Sequence, residues 1–260
     1  MNALSTDEAR AAIAGGQASL GIELGSTRIK ACLIAETGQV LAVGSHEWEN
    51  SYVDRVWTYS LDEVWSGIQA AYAALGIRVQ QAYGMAIESL ASIGISAMMH
   101  GYLAFDAQGQ LLVPFRTWRN TSTSAAASEL SDLFGVNIPL RWSIAHYRQA
   151  MLDAEPHVGA IDRLTTLAGY VHTALTGRRV LGVGDASGMF PIDPATGGYD
   201  AELVVRFDEL AAVREYDAVW AHASLLHAPC AALPDVLTRI HRALKPGGLH
   251  FANYKLGDDA

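Results

Sequence analysis

The chain has 260 residues and a mass of 27.8 kDa, room for one large domain or two modest ones. Half of its residues are hydrophobic and 17% are charged, so a sizeable core is available and wholesale disorder is excluded. A formal charge of -9 argues against a nucleic-acid or anionic-membrane surface, since nothing offsets phosphate repulsion over a broad face. A small anion held by backbone amides stays compatible with it. Cys32 and Cys230 lie far apart in unrelated contexts, which points to a reducing compartment without a disulfide framework.

Ser5-Thr6-Asp7-Glu8 has the form of a capping box, and a weak helix continues through Ala14. No signal peptide is legible and no apolar run reaches bilayer length, so the chain reads as cytoplasmic. Strands are expected at 20–24, 29–35 and 40–43, joined by short turns and therefore antiparallel neighbours. Residues 61–83 repeat apolar side chains at helical spacing, with a break expected near Gly76. A buried-looking strand follows at 91–97, and another at 102–105 is closed by the turn Asp106-Ala107-Gln108-Gly109. Helices are expected at 123–134, 143–153 and 165–175, the last stopped by Gly177. This order makes a mixed α/β domain. From about 213 the texture changes to a strand (216–222), an amphipathic helix (233–244), the breaker Lys245-Pro246-Gly247-Gly248 and a strand (249–254), a β-α-β unit of parallel-sheet type.

Four constellations could carry chemistry. In Gly21 to Lys30, Gly25 would let a phosphate approach the backbone, and Ser26 and Thr27 offer hydroxyl donors. Glu23 could hold a hydrated Mg²⁺, although the same residues also read as an ordinary hairpin turn with a solvated carboxylate. Met99-His100-Gly101 follows a strand, where an imidazole can donate to and accept from a hydroxylated ligand. Arg116-Thr117-Trp118-Arg119-Asn120 sets an indole beside guanidinium and amide groups, a combination that suits a polyol or simply packs under a loop. Gly184-Asp185-Ala186-Ser187-Gly188 carries a carboxylate that could accept a hydroxyl proton or cap a helix.

In this order the four motifs resemble the FGGY family of carbohydrate kinases, over about residues 19–210. The resemblance implies the amino-terminal domain of a ribonuclease-H-like, actin-like ATPase fold with a mixed sheet. The block His46 through Trp48-Glu49-Asn50 resembles a branch whose sugar is poorly defined. By this similarity ATP phosphates would lie at Glu23, Gly25, Ser26, Thr27 and Lys30, with Mg²⁺ at Glu23. The sugar would touch Met99, His100, Trp118, Arg119, Asn120 and Asp185, and Asp185 would be the catalytic base. Many relatives carry Asp where this chain has Glu23, which moves the charge outward by one methylene. Met99-His100 resembles the pair of ketopentose kinases, so the small-molecule substrate is expected to be a ketopentose or related polyol.

The tail, 213–260, resembles the later part of a class I, Rossmann-like S-adenosylmethionine-dependent methyltransferase, but no donor-binding glycine loop feeds it. The domain organisation expected is an N-terminal extension (1–18), a kinase N-terminal domain (19–212) and this partial segment. His222, His227, His241 and His250 match no zinc spacing. Family members continue into a second domain, so unaided turnover is expected to be low. An exposed interdomain face would favour self-association into a homo-oligomer. The competing readings are a methyltransferase fragment and a non-catalytic sugar-binding remnant or fusion.

Overall fold

A computed structural model of the chain describes residues 4–211, 216–221 and 233–252. They form two compact units, divided between Tyr199 and Asp200. Among the described residues no helix is long and apolar enough to cross a membrane.

The first unit opens with α1 (Thr6–Ala14), whose capping box between Ser5 and Glu8 is formed in both directions. A meander follows: β1 (Ser19–Leu24), β2 (Arg28–Ile34) and β3 (Val40–Glu47), antiparallel as expected. Leu20, Ile22 and Leu24 alternate inward with Ile29, Ala31 and Leu33 opposite them, the period-two pattern of a half-buried sheet. β3 runs four residues past its expected end at Val43. A register shift between Leu33 and Ile34 lets Leu41 and Ala42 both turn inward. β4 (Ser51–Val53) and β5 (Val56–Thr58) make a small hairpin that the sequence reading missed.

The long helix α2 (Leu61–Tyr83) covers one face of this sheet. Ser60 and Glu63 form a second reciprocal capping box, and Gly84 closes the helix in the left-handed conformation. Val64, Ile68, Ala71, Leu75 and Val79 are its buried stripe. No break occurs at Gly76, which faces open space and costs the helix only its intrinsic propensity.

β6 (Ser92–Ala97) then returns parallel to β1, giving the sheet order β3-β2-β1-β6. β7 (Leu103–Phe105) pairs antiparallel with β8 (Arg163–Thr165), a short strand not expected from the sequence. Around them stand α3 (Ser124–Phe134), α4 (Ser143–Leu152), α5 (Leu167–Thr176) and the single turn α6 (Val183–Ala186). Arg148 on α4 grips Glu129 on α3 through two bonds of 2.7 and 2.9 Å, a fork geometry that fixes the helix pair.

Under this layer lies a buried polar group. Tyr102 donates to or accepts from His157 at 2.8 Å, Glu155 binds Arg116, and the His146 ring lies 6.1 Å from that of Tyr102. His146 is fully buried and neither ring nitrogen meets a hydrogen-bond partner among the described residues. Burial first, and the nearby Arg116 cation second, push its pKa down to about 3. The folded state therefore keeps His146 neutral, while the unfolded chain protonates it near 6.5. The unfolded state binds the extra proton below that value, so stability is lost as pH falls from about 6.5 towards 3. His146→Leu is expected to flatten this part of a urea-denaturation profile against pH, without loss of stability at pH 7. An unchanged profile would show that the imidazole is hydrated or already charged in the fold.

The second unit holds α7 (Ala201–Ala211), β9 (Tyr216–Ala221), α8 (Leu233–Ala243) and β10 (Leu244–Ala252). Asp200 starts α7 by accepting the amides of Glu202 and Leu203 at 3.0 and 3.1 Å. β9 and β10 pair in parallel around α8, the expected β-α-β arrangement. Lys245-Pro246-Gly247-Gly248 is not a separate turn as expected but lies within β10, where the register shifts between Leu244 and Leu249. Proline and glycine are tolerated in a strand at such a bulge. His222, His227, Cys230 and the expected strand end at 253–254 lie outside the described residues.

Candidate functional site

The parallel pairing of β1 with β6 brings two loops to the same edge of the sheet. The bend at residues 25–27 leaves β1, the segment 98–101 leaves β6, and the Met98 amide donates to the Leu24 carbonyl at 2.8 Å. Openings at the carboxyl ends of parallel strands are the usual ligand crevices of α/β sheets.

The bend is held from behind. Trp48 Nε1 donates to the Gly25 carbonyl at 2.7 Å, and the Tyr59 hydroxyl donates to the Ser26 carbonyl. The two rings stack at 4.0 Å. With the carbonyls tied down, Ser26 and Thr27 stay exposed and their amides have no bond to other described residues. Gly25 is bound into the turn. Its amide is already given to the Arg28 carbonyl at 3.0 Å, and a Cβ there would meet that carbonyl at the same distance. The turn itself therefore leaves little room for a side chain at this position. Glu23 and Lys30 are cross-strand partners and form an exposed ion pair of 3.1 Å. Among the described residues no group of three His, Cys, Asp or Glu side chains gathers as a metal cluster.

Beyond β6, His100 and Gly101 both have positive φ, 73° and 105°. For a histidine this left-handed geometry is strained and is sustained only by its surroundings. A Cβ on Gly101 would lie 2.5 Å from the Arg116 carbonyl, so the close approach of the 115–116 segment requires glycine. Ser143 donates its hydroxyl to the Gly101 carbonyl, and the Gly101 amide donates to the Arg141 carbonyl at 2.9 Å.

Asp185 arrives from the far side. The α6 turn leads into Gly188, on which Met99 and His100 both rest: a Cβ at that position would be 2.7 Å from His100 Nδ1 and 3.2 Å from Met99 Cε. The free amides that begin α4 hold this segment in place, Ser143 donating to the Gly188 carbonyl at 3.4 Å and Ile144 to Met189 at 3.1 Å. Asp185 accepts from the Thr166 hydroxyl, and Thr166 also caps α5 by accepting the Gly169 amide at 3.0 Å. Burial raises the Asp185 pKa against the opposing effects of the Thr166 bond and of His100. Burial, assisted by the Arg141 cation, lowers the pKa of His100 and favours a neutral imidazole that can donate and accept.

The Trp118 motif divides. Trp118, 37% exposed, and Arg119 line a pocket of about 550 Å³ together with Thr121, Pro139, Leu140 and Arg141. The Arg119 guanidinium stacks over Trp57 at 4.0 Å. Asn120 is a correction to the expected ligand contact. It is buried, and its amide donates to the Trp57 and Thr117 carbonyls at 2.8 and 3.0 Å while accepting from the Trp57 amide at 2.9 Å. It pins the β4–β5 hairpin to the motif instead of presenting a polar group outward.

Two residues of this geometry went unnoticed in the sequence. Thr166 was hidden inside a helix expected to begin at 165, whereas it is the cap, a position where Thr is common. Arg141 carries no local signal, because its significance comes from the loop 98–101 that folds against it.

The family described as "FGGY family of carbohydrate kinases, N-terminal domain" matches residues 18–212. The xylulose kinase of Lactococcus lactis subsp. lactis (strain IL1403) is 23% identical over 198 residues, covering 73% of this chain and 39% of the relative. That of Escherichia coli (strain K12) is 24% identical over 184 residues, covering 68% and 37%. This chain thus spans about two fifths of the length of the curated relatives it matches. Among solved structures, a xyloylose kinase from Brucella ovis superposes with a TM-score of 0.63 at 21% identity, covering 72% of this chain and 40% of that one. The xylulose kinase from Rhodospirillum rubrum gives 0.62 at 24%, covering 73% and 41%. These likenesses establish the sugar-kinase fold, of actin-like, ribonuclease-H-like type, for the mixed sheet described above. With the match spanning three quarters of its length, the chain belongs to the FGGY family of carbohydrate kinases through that family's N-terminal domain.

Proposed function

We propose that residues 19–212 are a sugar- and phosphate-binding kinase domain that presents a hydroxyl of a ketopentose or related polyol to the γ-phosphate of ATP. The observation that carries this reading is the convergence of Met99-His100 with the Asp185 segment, through the side-chain-free surface of Gly188. In the transfer, the sugar oxygen forms a bond to the γ-phosphorus, the bond to the bridging oxygen of ADP breaks, and the hydroxyl proton passes to Asp185. Neutral His100 and the Trp118 wall orient the sugar, and the free amides and hydroxyls of Ser26 and Thr27 bind phosphate oxygens.

The donor set fits Mg²⁺ carried by the nucleotide, because one carboxylate plus phosphate oxygens is a common complement for that ion. Glu23 would be the residue to hold it, with Lys30, its present partner, released towards the phosphates. When bound, such an ion would supply positive charge to offset the charge on the phosphates. The parallel pairing of β9 and β10 around α8 supports a methyltransferase-like reading of 213–260, which falls in the second compact unit that begins at Asp200.

Calorimetric titration with ketopentoses, sugar alcohols and sugar carboxylates tests the reading. Binding is expected to at least one of these classes and to weaken tenfold or more in Gly188→Ala, whose Cβ would displace His100 by roughly a half-ångström or more. Absence of binding across all three classes, or indifference to Gly188→Ala, would sink it. Heat from S-adenosylmethionine would instead favour the tail as the active part.

A further inference from the structure

The Trp118 pocket has a charge imbalance. Arg119 and Arg141 are among its six lining residues, and none of the six is a carboxylate. Neither guanidinium has a carboxylate within ion-pair distance among the described residues, a state they share with Arg10, Arg55, Arg78, Arg163 and Arg178; what sets them apart is that they line one pocket together. The Arg119 guanidinium carbon lies 4.0 Å from the centre of the Trp57 ring, a contact that restricts where its donors can go. Arg141 is joined to the His100 loop through its own carbonyl, and its cation acts on the His100 imidazole. The pocket is therefore continuous in charge with the place where the sugar hydroxyls are expected.

A neutral polyol does not need two cations. Its hydroxyls are satisfied by imidazole, amide and hydroxyl groups, and it leaves a guanidinium fork without the planar acceptor that fork matches. A carboxylate supplies that acceptor, with two oxygens in one plane. The indole of Trp118 meanwhile offers an apolar plane for the carbon chain.

We infer that the substrate is an acidic sugar, an aldonate or ketoaldonate, whose carboxylate is gripped in the Trp118 pocket by Arg141 with Arg119 beside it. The inference rests on the kinase-domain reading and replaces the neutral ketopentose or polyol of that reading with its acidic counterpart. The chain end distal to the carboxylate is then the one directed to His100 and Asp185, so the terminal hydroxyl is the group to be phosphorylated.

Titration calorimetry at low and at high salt tests this with pairs of equal carbon number: a pentonate or ketopentonate against the corresponding ketopentose and pentitol. The wild-type chain is expected to bind the acid at least tenfold more tightly, with the advantage shrinking as salt rises. Arg141→Gln should collapse the acid-to-neutral ratio to about one, and Arg141→Lys should retain part of it. Equal affinities in the wild-type chain, or a preference that survives Arg141→Gln, would overturn the inference. Neutral sugars that bind as well as acids and still respond to Gly188→Ala would overturn it while leaving the kinase reading in place. Binding by neither class would remove both.

Discussion

Asp185→Asn is expected to slow phosphoryl transfer to the sugar by about 10²–10⁴, while the sugar dissociation constant stays within roughly threefold. The asparagine keeps the shape of the side chain and can still accept from the Thr166 hydroxyl, but it cannot take a proton. Proton acceptance is the role proposed for this carboxyl. Half-burial raises its pKa, and a raised carboxylate is a stronger base at working pH. The sign follows directly: the active form is deprotonated, so the rate falls as pH drops through the raised pKa. The acid limb of the profile should therefore lie above the ordinary aspartate value of 3.8. Thr166→Val removes a bond that lowers that pKa, and should move the limb further up. Sugar-dependent ADP formation and sugar titration on the same variants check both points. Affinity that falls in step with rate in Asp185→Asn would make this residue a binding group and not the base.

The second large effect concerns Gly44→Ala, which should cost about 3 kcal/mol or more and lower the yield of folded protein. At Gly44 the strand β3 and the helix α2 touch backbone to backbone. An added Cβ would lie 2.2 Å from both the Ala71 carbonyl oxygen and the Leu75 amide nitrogen. Neither atom can rotate away, so the helix must lift off the sheet and uncover Ala71, Leu75 and their neighbours. Chemical denaturation of Gly44→Ala beside Gly76→Ala provides the comparison. Gly76 faces open space within the same helix, and its replacement should be neutral or stabilising. Equal stabilities of the two variants would contradict the packing described for β3 and α2.

The contrast between these two glycines shows what was legible beforehand. Helix α2 was readable because its stripe and its Ser60 and Glu63 cap are local signals, whereas its intimacy with Gly44 depends on residues far apart in sequence. The β4–β5 hairpin escaped for a different reason. Its two turn residues, Asp54 and Arg55, both adopt positive φ, 49° and 68°, where such turns ordinarily advertise themselves with Asn-Gly or Asp-Gly. A resemblance of four short motifs led to the family, and the structure then brought Met99, His100 and Asp185 to Gly188. It also retired Asn120 to a structural role that side-chain chemistry alone could not distinguish from ligand binding. Arg141 and Thr166 were invisible because each matters through a segment that is remote in the chain.

The pairing of β1 with β6 sets an order of assembly. Ser19 meets Ser92 only after β2, β3, the hairpin and the whole of α2 have been accommodated between them. Closing so long a loop is slow, whereas the β1–β3 meander forms through near neighbours. The loop leaving β6 is thus expected to acquire its strained histidine late, on a platform that has already condensed. Pulse-labelled amides of β2 and β3 should gain protection during refolding before those of β6, and the binding crevice should be the last thing the chain learns to make.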